Sequence, residues 1–188
     1  YTEGYLPLWQ EWARQNPQYV FDFDGKLYLN PGEPEVIKYI VDSVMEVVEN
    51  YDIDAVHFDD YFYPYRSISD KNKWYSKKEE ISFKKYGAGF KDVSDWRRAN
   101  VDKLIFDLHN SIKSYNINNK KSVQFGISPF GIWGHKEMHP EGSKNGTGSL
   151  TPIYSQASYD NLFADTRKWV KNNWIDYIAP QVYWSFDE

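Results

Sequence analysis

Cysteine is absent from all 188 residues, which excludes disulfides and thiolate metal sites but leaves reducing and oxidising compartments both open. No apolar run approaches the roughly 18 residues that a membrane-crossing helix needs, so no transmembrane segment is expected, and residues 1–20 lack the pattern of a signal peptide. There is no long block of one charge sign and the net charge is −5, so the footprint of a nucleic-acid binder is missing. Internal repeats and low-complexity linkers are lacking too. The chain is therefore expected to form one domain over residues 1–188, long enough for a sizeable core. A metal-holding cluster of Asp and His is not evident, and no cofactor is expected.

What the chain has in excess is rings: 19% of its residues are aromatic, with 8 Trp and 16 Tyr. A core absorbs many of them. Others stand beside polar residues in loop-like sequence, as in Tyr61-Phe62-Tyr63-Pro64-Tyr65 and Gln181-Val182-Tyr183-Trp184. Sugars present apolar CH faces that stack on rings and hydroxyls that need partners, and Tyr and Trp meet both needs.

The most informative stretch runs from Tyr51 to Tyr65. Ile53 to Phe58 reads as a short buried strand that ends at two adjacent carboxylates, Asp59 and Asp60, with aromatic residues following at once. A strand that fixes acids beside a wall of rings is a recurrent plan for an α/β enzyme acting on a polyhydroxylated substrate.

Residues 5–16 read as a short helix, and Asp24-Gly25 between alternating residues predicts a hairpin over 20–29. Pro34 opens a helix to about Asn50 with an apolar stripe from Val36 to Val48. A short helix is expected over Lys77 to Tyr86. A long one is expected from Ser94, as N-cap, to Tyr115, and a third over Tyr159 to Asn172 with Leu162, Phe163, Trp169 and Val170 inward. Strands follow at Val123–Ser128 and Ile175–Tyr183. Three strands joined by helices imply parallel right-handed crossovers, with long or aromatic loops after each strand and short turns before it. That asymmetry fits a (β/α) barrel, but three core strands cannot close one. Either the chain is part of a barrel or the sheet is open.

Four blocks carry a resemblance over nearly the whole chain from Tyr28 on: Tyr28-Leu29-Asn30-Pro31-Gly32; Val56-His57-Phe58-Asp59-Asp60-Tyr61-Phe62-Tyr63-Pro64; Phe125-Gly126-Ile127-Ser128-Pro129-Phe130-Gly131-Ile132-Trp133; and Asp176-Tyr177-Ile178-Ala179-Pro180-Gln181-Val182-Tyr183-Trp184. In this order they resemble the bacterial glycosyl-hydrolase-like ten family. The resemblance implies a TIM-barrel glycosidase of which this chain holds roughly the fourth to sixth strands. It also implies a bacterial polysaccharide as substrate, with an amino-sugar cell-wall glycan as the narrower expectation. Placement would be extracellular or in the cell envelope, with the signal or anchor outside this chain. More distantly, Asp54 to Tyr61 resembles the fourth-strand signature of chitinases, in whose frame the proton donor falls at Tyr61 and an inner aspartate at His57. The frame of α-amylase-like enzymes instead puts the nucleophile at Asp59.

Glycoside hydrolysis normally uses two carboxyl groups, about 5–5.5 Å apart for retention and about 6.5–9.5 Å apart for inversion. Neighbours on a strand face opposite ways, so Asp59 and Asp60 are not expected to form that pair unless the strand has already ended. Alternation puts His57 and Asp59 on the inner face, which favours Asp59 as the principal acid and His57 as a proton partner, with Asp60 beside them. The plainer alternative is that both aspartates cap the following loop. The second acid lies elsewhere, or an N-acetyl group of the substrate replaces it. Tyr61, Tyr63, Trp133, Gln181, Tyr183 and Trp184 are the expected sugar-binding side chains, with core packing as the competing role for Tyr183 and Trp133. His135 and His139 read as solvent-exposed loop residues. Two functions compete: a glycosidase, and a carbohydrate-binding module built from a barrel that has lost catalysis. Open sheet edges also invite self-association.

Overall fold

The structure, a computed structural model, describes residues 11–140, 148–183 and 185. Helix α1 (Glu11–Gln15) leads into a hairpin of β1 (Val20–Phe23) and β2 (Lys26–Leu29). Its two turn residues, Asp24 and Gly25, both have positive φ, as a tight turn matched to strand twist requires. The rest of the predicted first helix lies outside the described residues.

Helix α2 (Pro34–Asn50) carries Pro34 in its first turn, where the missing N–H costs nothing. Helix α3 (Lys77–Tyr86) is capped by Ser76, whose side chain accepts from the Glu79 amide, and stops at Gly87. Helix α4 runs from Val93 to Asn119, longer at both ends than the sequence suggests. Its N-cap is Asp92, which accepts from the Asp95 amide, and not Ser94, whose hydroxyl donates to Asn72 Oδ1. At the other end Lys120 takes the left-handed conformation that closes the helix, beyond the predicted end at Tyr115.

The sheet is parallel, in the order β3 (Ala55–Phe58), β4 (Gln124–Ile127), β5 (Tyr177–Ile178). β5 is shorter than predicted, but amides of Ala179 and Gln181 still donate to the carbonyls of Ile127 and Pro129, so the chain keeps its course beside β4. No other strand pairs with β3 or β5 among the described residues. The helix predicted over 159–172 is two helices, α5 (Ser158–Asn161) and α6 (Thr166–Lys171). Phe163 is left-handed and Asp165 caps a fresh start, which rotates the apolar phase. Trp169 is buried, whereas Val170, expected inward, is exposed.

One face of the sheet is the core. Phe125 and Ile127 are buried there with Ile105 and Leu108 of α4, Leu162 and Phe163. The other face carries His57, Gln124, Gly126, Tyr177 and Ala179, of which only Gly126 is buried. The loop from β3 to α3 is tied down by cations. Arg97, fully buried, grips Glu79 through two nitrogens at 2.6 and 2.8 Å and donates to the carbonyls of Lys71 and Lys73. Arg66 lies 3.7 Å over the Tyr75 ring, Tyr75 donates to the Pro64 carbonyl, and Asn161 donates to the Arg66 carbonyl. This loop holds Asp60 and Tyr65, so the buried ion pair supports the site from behind.

Candidate active site

β3 ends at Phe58, one residue before the first aspartate, so strand alternation no longer governs the two acids. Both carboxylates turn toward the same group. Gln181 Nε2 donates to Asp59 Oδ1 at 2.8 Å, to Asp60 Oδ2 at 2.8 Å and to the Ser128 carbonyl at 2.9 Å. Two oxygens each 2.8 Å from one nitrogen are at most 5.6 Å apart. The strand is already over at the acids, the condition under which adjacent aspartates need not face opposite ways.

The two acids differ in surroundings. Asp60 is 2% exposed, and its other oxygen accepts from the Tyr65 hydroxyl at 2.5 Å. Burial, then the hydrogen bond to Asp60, pushes the Tyr65 hydroxyl well above the ordinary tyrosine range, so Tyr65 remains a donor. Asp59 is exposed. Its Oδ1 also accepts from the Asp60 amide, and its Oδ2 has no hydrogen bond among the described residues. One acid is thus bonded on both oxygens, and the other, exposed, keeps one oxygen without a hydrogen bond among the described residues.

His57, two residues before Asp59, is also exposed, on the sheet face opposite the core. Its Nδ1 lies 2.9 Å from Tyr177 Oη, and the two rings are stacked. His57, Gly126 and Tyr177 form one register row across the three strands. The Tyr177 ring lies directly over Gly126, where any Cβ would fall inside it. A glycine at that position is what lets a tyrosine reach across β4.

The predicted sugar-binding residues separate into groups. Tyr61 is 72% exposed and stacks on Tyr65 at 5.4 Å, and Tyr183 is also exposed. Tyr63 is a core residue, packed against Tyr75 and Phe163, and offers no ring face to a ligand. Trp133 donates to Asp165 and packs with His139, Tyr159 and Arg167, in a cluster of its own. Trp184 lies outside the described residues. His135 and His139 are not solvent-exposed: His135 bonds the Ser155 carbonyl, and His139 lies 2.5 Å from the buried Asp160. Asp59, His57 and Tyr61 border a groove of about 450 Å³ along the free edge of β3, whose far wall includes Tyr28, Pro31 and Ile40.

The profile of the family described as Glycosyl hydrolase-like 10 matches residues 7–188. The chain belongs to this family. It is 42% identical over 174 residues to glycosyl hydrolase YngK of Bacillus subtilis (strain 168), covering 92% of this chain and 31% of that protein. It is 38% identical over 172 residues to glycosyl hydrolase DigH of Escherichia coli (strain K12), covering 92% of this chain and 35% of that protein. The chain therefore spans about a third of the length of these relatives. Membership makes it a glycosidase-like protein, and a parallel sheet with acids beyond the end of a strand suits that class.

Tyr65, Tyr177 and the coordinating role of Gln181 are not apparent in sequence. Tyr65 looks like one more ring in an aromatic run, and Tyr177 sits in a predicted strand. Only the Gly126-to-Tyr177 pairing, set by strand register, shows why either residue has its type.

Proposed function

We propose that the chain is the central part of a TIM-barrel glycoside hydrolase acting on a bacterial polysaccharide. The narrower substrate reading is an amino-sugar cell-wall glycan, met outside the cell or in its envelope. The observation that carries the proposal is the Gln181 amide held between Asp59 and Asp60, with Asp59 itself bordering a groove.

In this reading Asp59 is the catalytic carboxylate, because it is exposed and its Oδ2 has no hydrogen bond among the described residues. Asp60 is a positioning residue: Tyr65 fixes one oxygen, and the other orients the Gln181 amide, which in turn fixes Asp59. The exposed Tyr61 offers a stacking face beside the acid. His57, held by Tyr177, stands two residues below as proton partner or orienter. The bound of 5.6 Å on the Asp59–Asp60 oxygens falls short of the spacing used for inversion. Asp60 is too enclosed to attack a sugar. The second reacting group is then a carboxyl outside the described residues or an N-acetyl oxygen of the substrate.

The test is Asp59→Asn in this chain and in any longer protein that contains it, assayed on amino-sugar oligosaccharides. A loss of about 100-fold or more in kcat with retained fold is expected, the usual contribution of a positioned acid or base. Undiminished turnover would remove Asp59 from the chemistry. Sugar binding by every form without turnover would favour the binding-module reading.

A further inference from the structure

A second pocket opens on the other side of Gln181. It encloses about 410 Å³, and its walls include Phe130, Ile132, Thr151, Gln156, Gln181 and Tyr183. Among the described residues no charged side chain lines it. Gln156 Oε1 is buried and has no hydrogen-bond partner among the described residues, the one such side-chain atom found there. Buried polar atoms are nearly always paired, so an orphaned acceptor beside a pocket calls for an explanation.

The walls themselves are fixed from behind. His135 Nε2 lies 2.9 Å from the Ser155 carbonyl, and its Nδ1 lies 3.2 Å from the Thr151 carbonyl and 3.3 Å from the Thr151 hydroxyl. The Ser158 amide donates to the Ile132 carbonyl at 2.9 Å. Within this stitched frame Gln156 Oε1 has no hydrogen bond among the described residues to give up on meeting a ligand. An aromatic path joins the pocket to the acids: Tyr61 stacks on Tyr65, Tyr65 packs on Phe130 at 5.4 Å, and Phe130 lines the pocket.

We infer that this pocket is a subsite for one neutral sugar unit, adjoining the bond that Asp59 faces, and that Gln156 recognises the unit by accepting from its hydroxyl or amide N–H. The inference rests on the reading of Asp59 as a glycan-cleaving carboxylate. Phe130, Ile132 and Tyr183 take the CH face, and Thr151 and Gln181 complete the polar side. A uronic acid finds no cation among the described residues of these walls, and its carboxylate would lose hydration without a partner.

The experiment is calorimetric titration of the Asp59→Asn chain, which does not turn over its ligand, with cello-oligosaccharides, chito-oligosaccharides and oligogalacturonides of equal length. Gln156→Leu and Gln156→Asn are added in turn, with thermal midpoints confirming the fold. The side-chain amide signal of Gln156 in the unsubstituted protein, followed by NMR, is a readout free of mutation. Neutral sugars are expected to bind and to shift that signal, and both Gln156 variants to weaken them about tenfold, the scale of one lost hydrogen bond. Oligogalacturonides should bind at least about tenfold more weakly. Weakening confined to the chito series assigns the donor to the acetamido N–H, and weakening of both series assigns it to a hydroxyl. Absence of neutral-sugar binding, a static Gln156 signal, unchanged affinity in both variants, or equal binding of the uronides would overturn the inference. Turnover is read separately on the unsubstituted protein. Gln156-dependent binding without turnover, in this chain and in a longer protein that contains it, leaves the subsite standing and removes the hydrolase reading.

Discussion

Gln181 Nε2 has two hydrogens and three acceptors around it: Asp59 Oδ1, Asp60 Oδ2 and the Ser128 carbonyl. It shares its protons among them, and it links the side chain of an enclosed acid to that of an open one. Gln181→Leu should leave Asp60 Oδ2 buried without a donor, lowering stability by about 1–3 kcal/mol in urea unfolding, and should reduce kcat more than it changes KM. Unchanged stability would mean that Asp60 is satisfied by other groups. A second residue-scale prediction concerns Gly126→Ala. Its methyl would displace the Tyr177 ring and cut the His57 contact, costing about 1–3 kcal/mol, as overpacking does. Combining it with Tyr177→Ala should cost less than the two single changes together, because the clash is gone. Additive losses would show that the ring and the methyl do not compete. At this scale the sequence makes Asp59 and Asp60 conspicuous, since acids that end an apolar strand are unusual. Their partners are not legible, because Gln181 lies more than a hundred residues away and only strand register brings it near.

Helices are the more legible elements here. α2 follows directly from Pro34 and the stripe beginning at Val36, and α3 keeps its predicted bounds, with Ser76 as its N-cap and Gly87 at its end. Two misreadings have physical causes. Asp92 and Ser94 are both good caps, and the choice fell to Asp92 because Ser94 finds Asn72 instead. The segment 158–171 has helical periodicity throughout, yet Phe163 is left-handed, a conformation tolerated because its ring is fully buried against Tyr63 and under Arg97. Arg97 also holds the aromatic loop to α3 and α4 through Glu79, an element-scale link that periodicity cannot reveal. Glu79→Gln should destabilise the fold by about 3–5 kcal/mol, because it leaves a buried guanidinium unpaired. The denaturation midpoint checks this, and a shift under about 1 kcal/mol, the range of exposed pairs, would contradict it.

For the whole molecule, the parallel order of the sheet is legible because each strand is separated from the next by helix. What closes the sheet is not legible, and β3 and β5 have no further strand neighbour among the described residues. A sheet with a free edge beside an apolar groove lined by Ile40, Val44 and Ile53 is a template for another strand. The chain by itself is accordingly expected to self-associate with rising concentration in sedimentation velocity. A single monomer species across the range would show that the groove is closed in solution.

The central claim is that Asp59, steadied by Gln181 and Asp60, cleaves a glycosidic bond. Digestion of an amino-sugar oligosaccharide in heavy-oxygen water, read by mass spectrometry, tests it most directly. The account predicts shortened products carrying one heavy oxygen at the new reducing end, and their disappearance in Asp59→Asn protein of unchanged fold. Labelled products at an undiminished rate from that variant would contradict it.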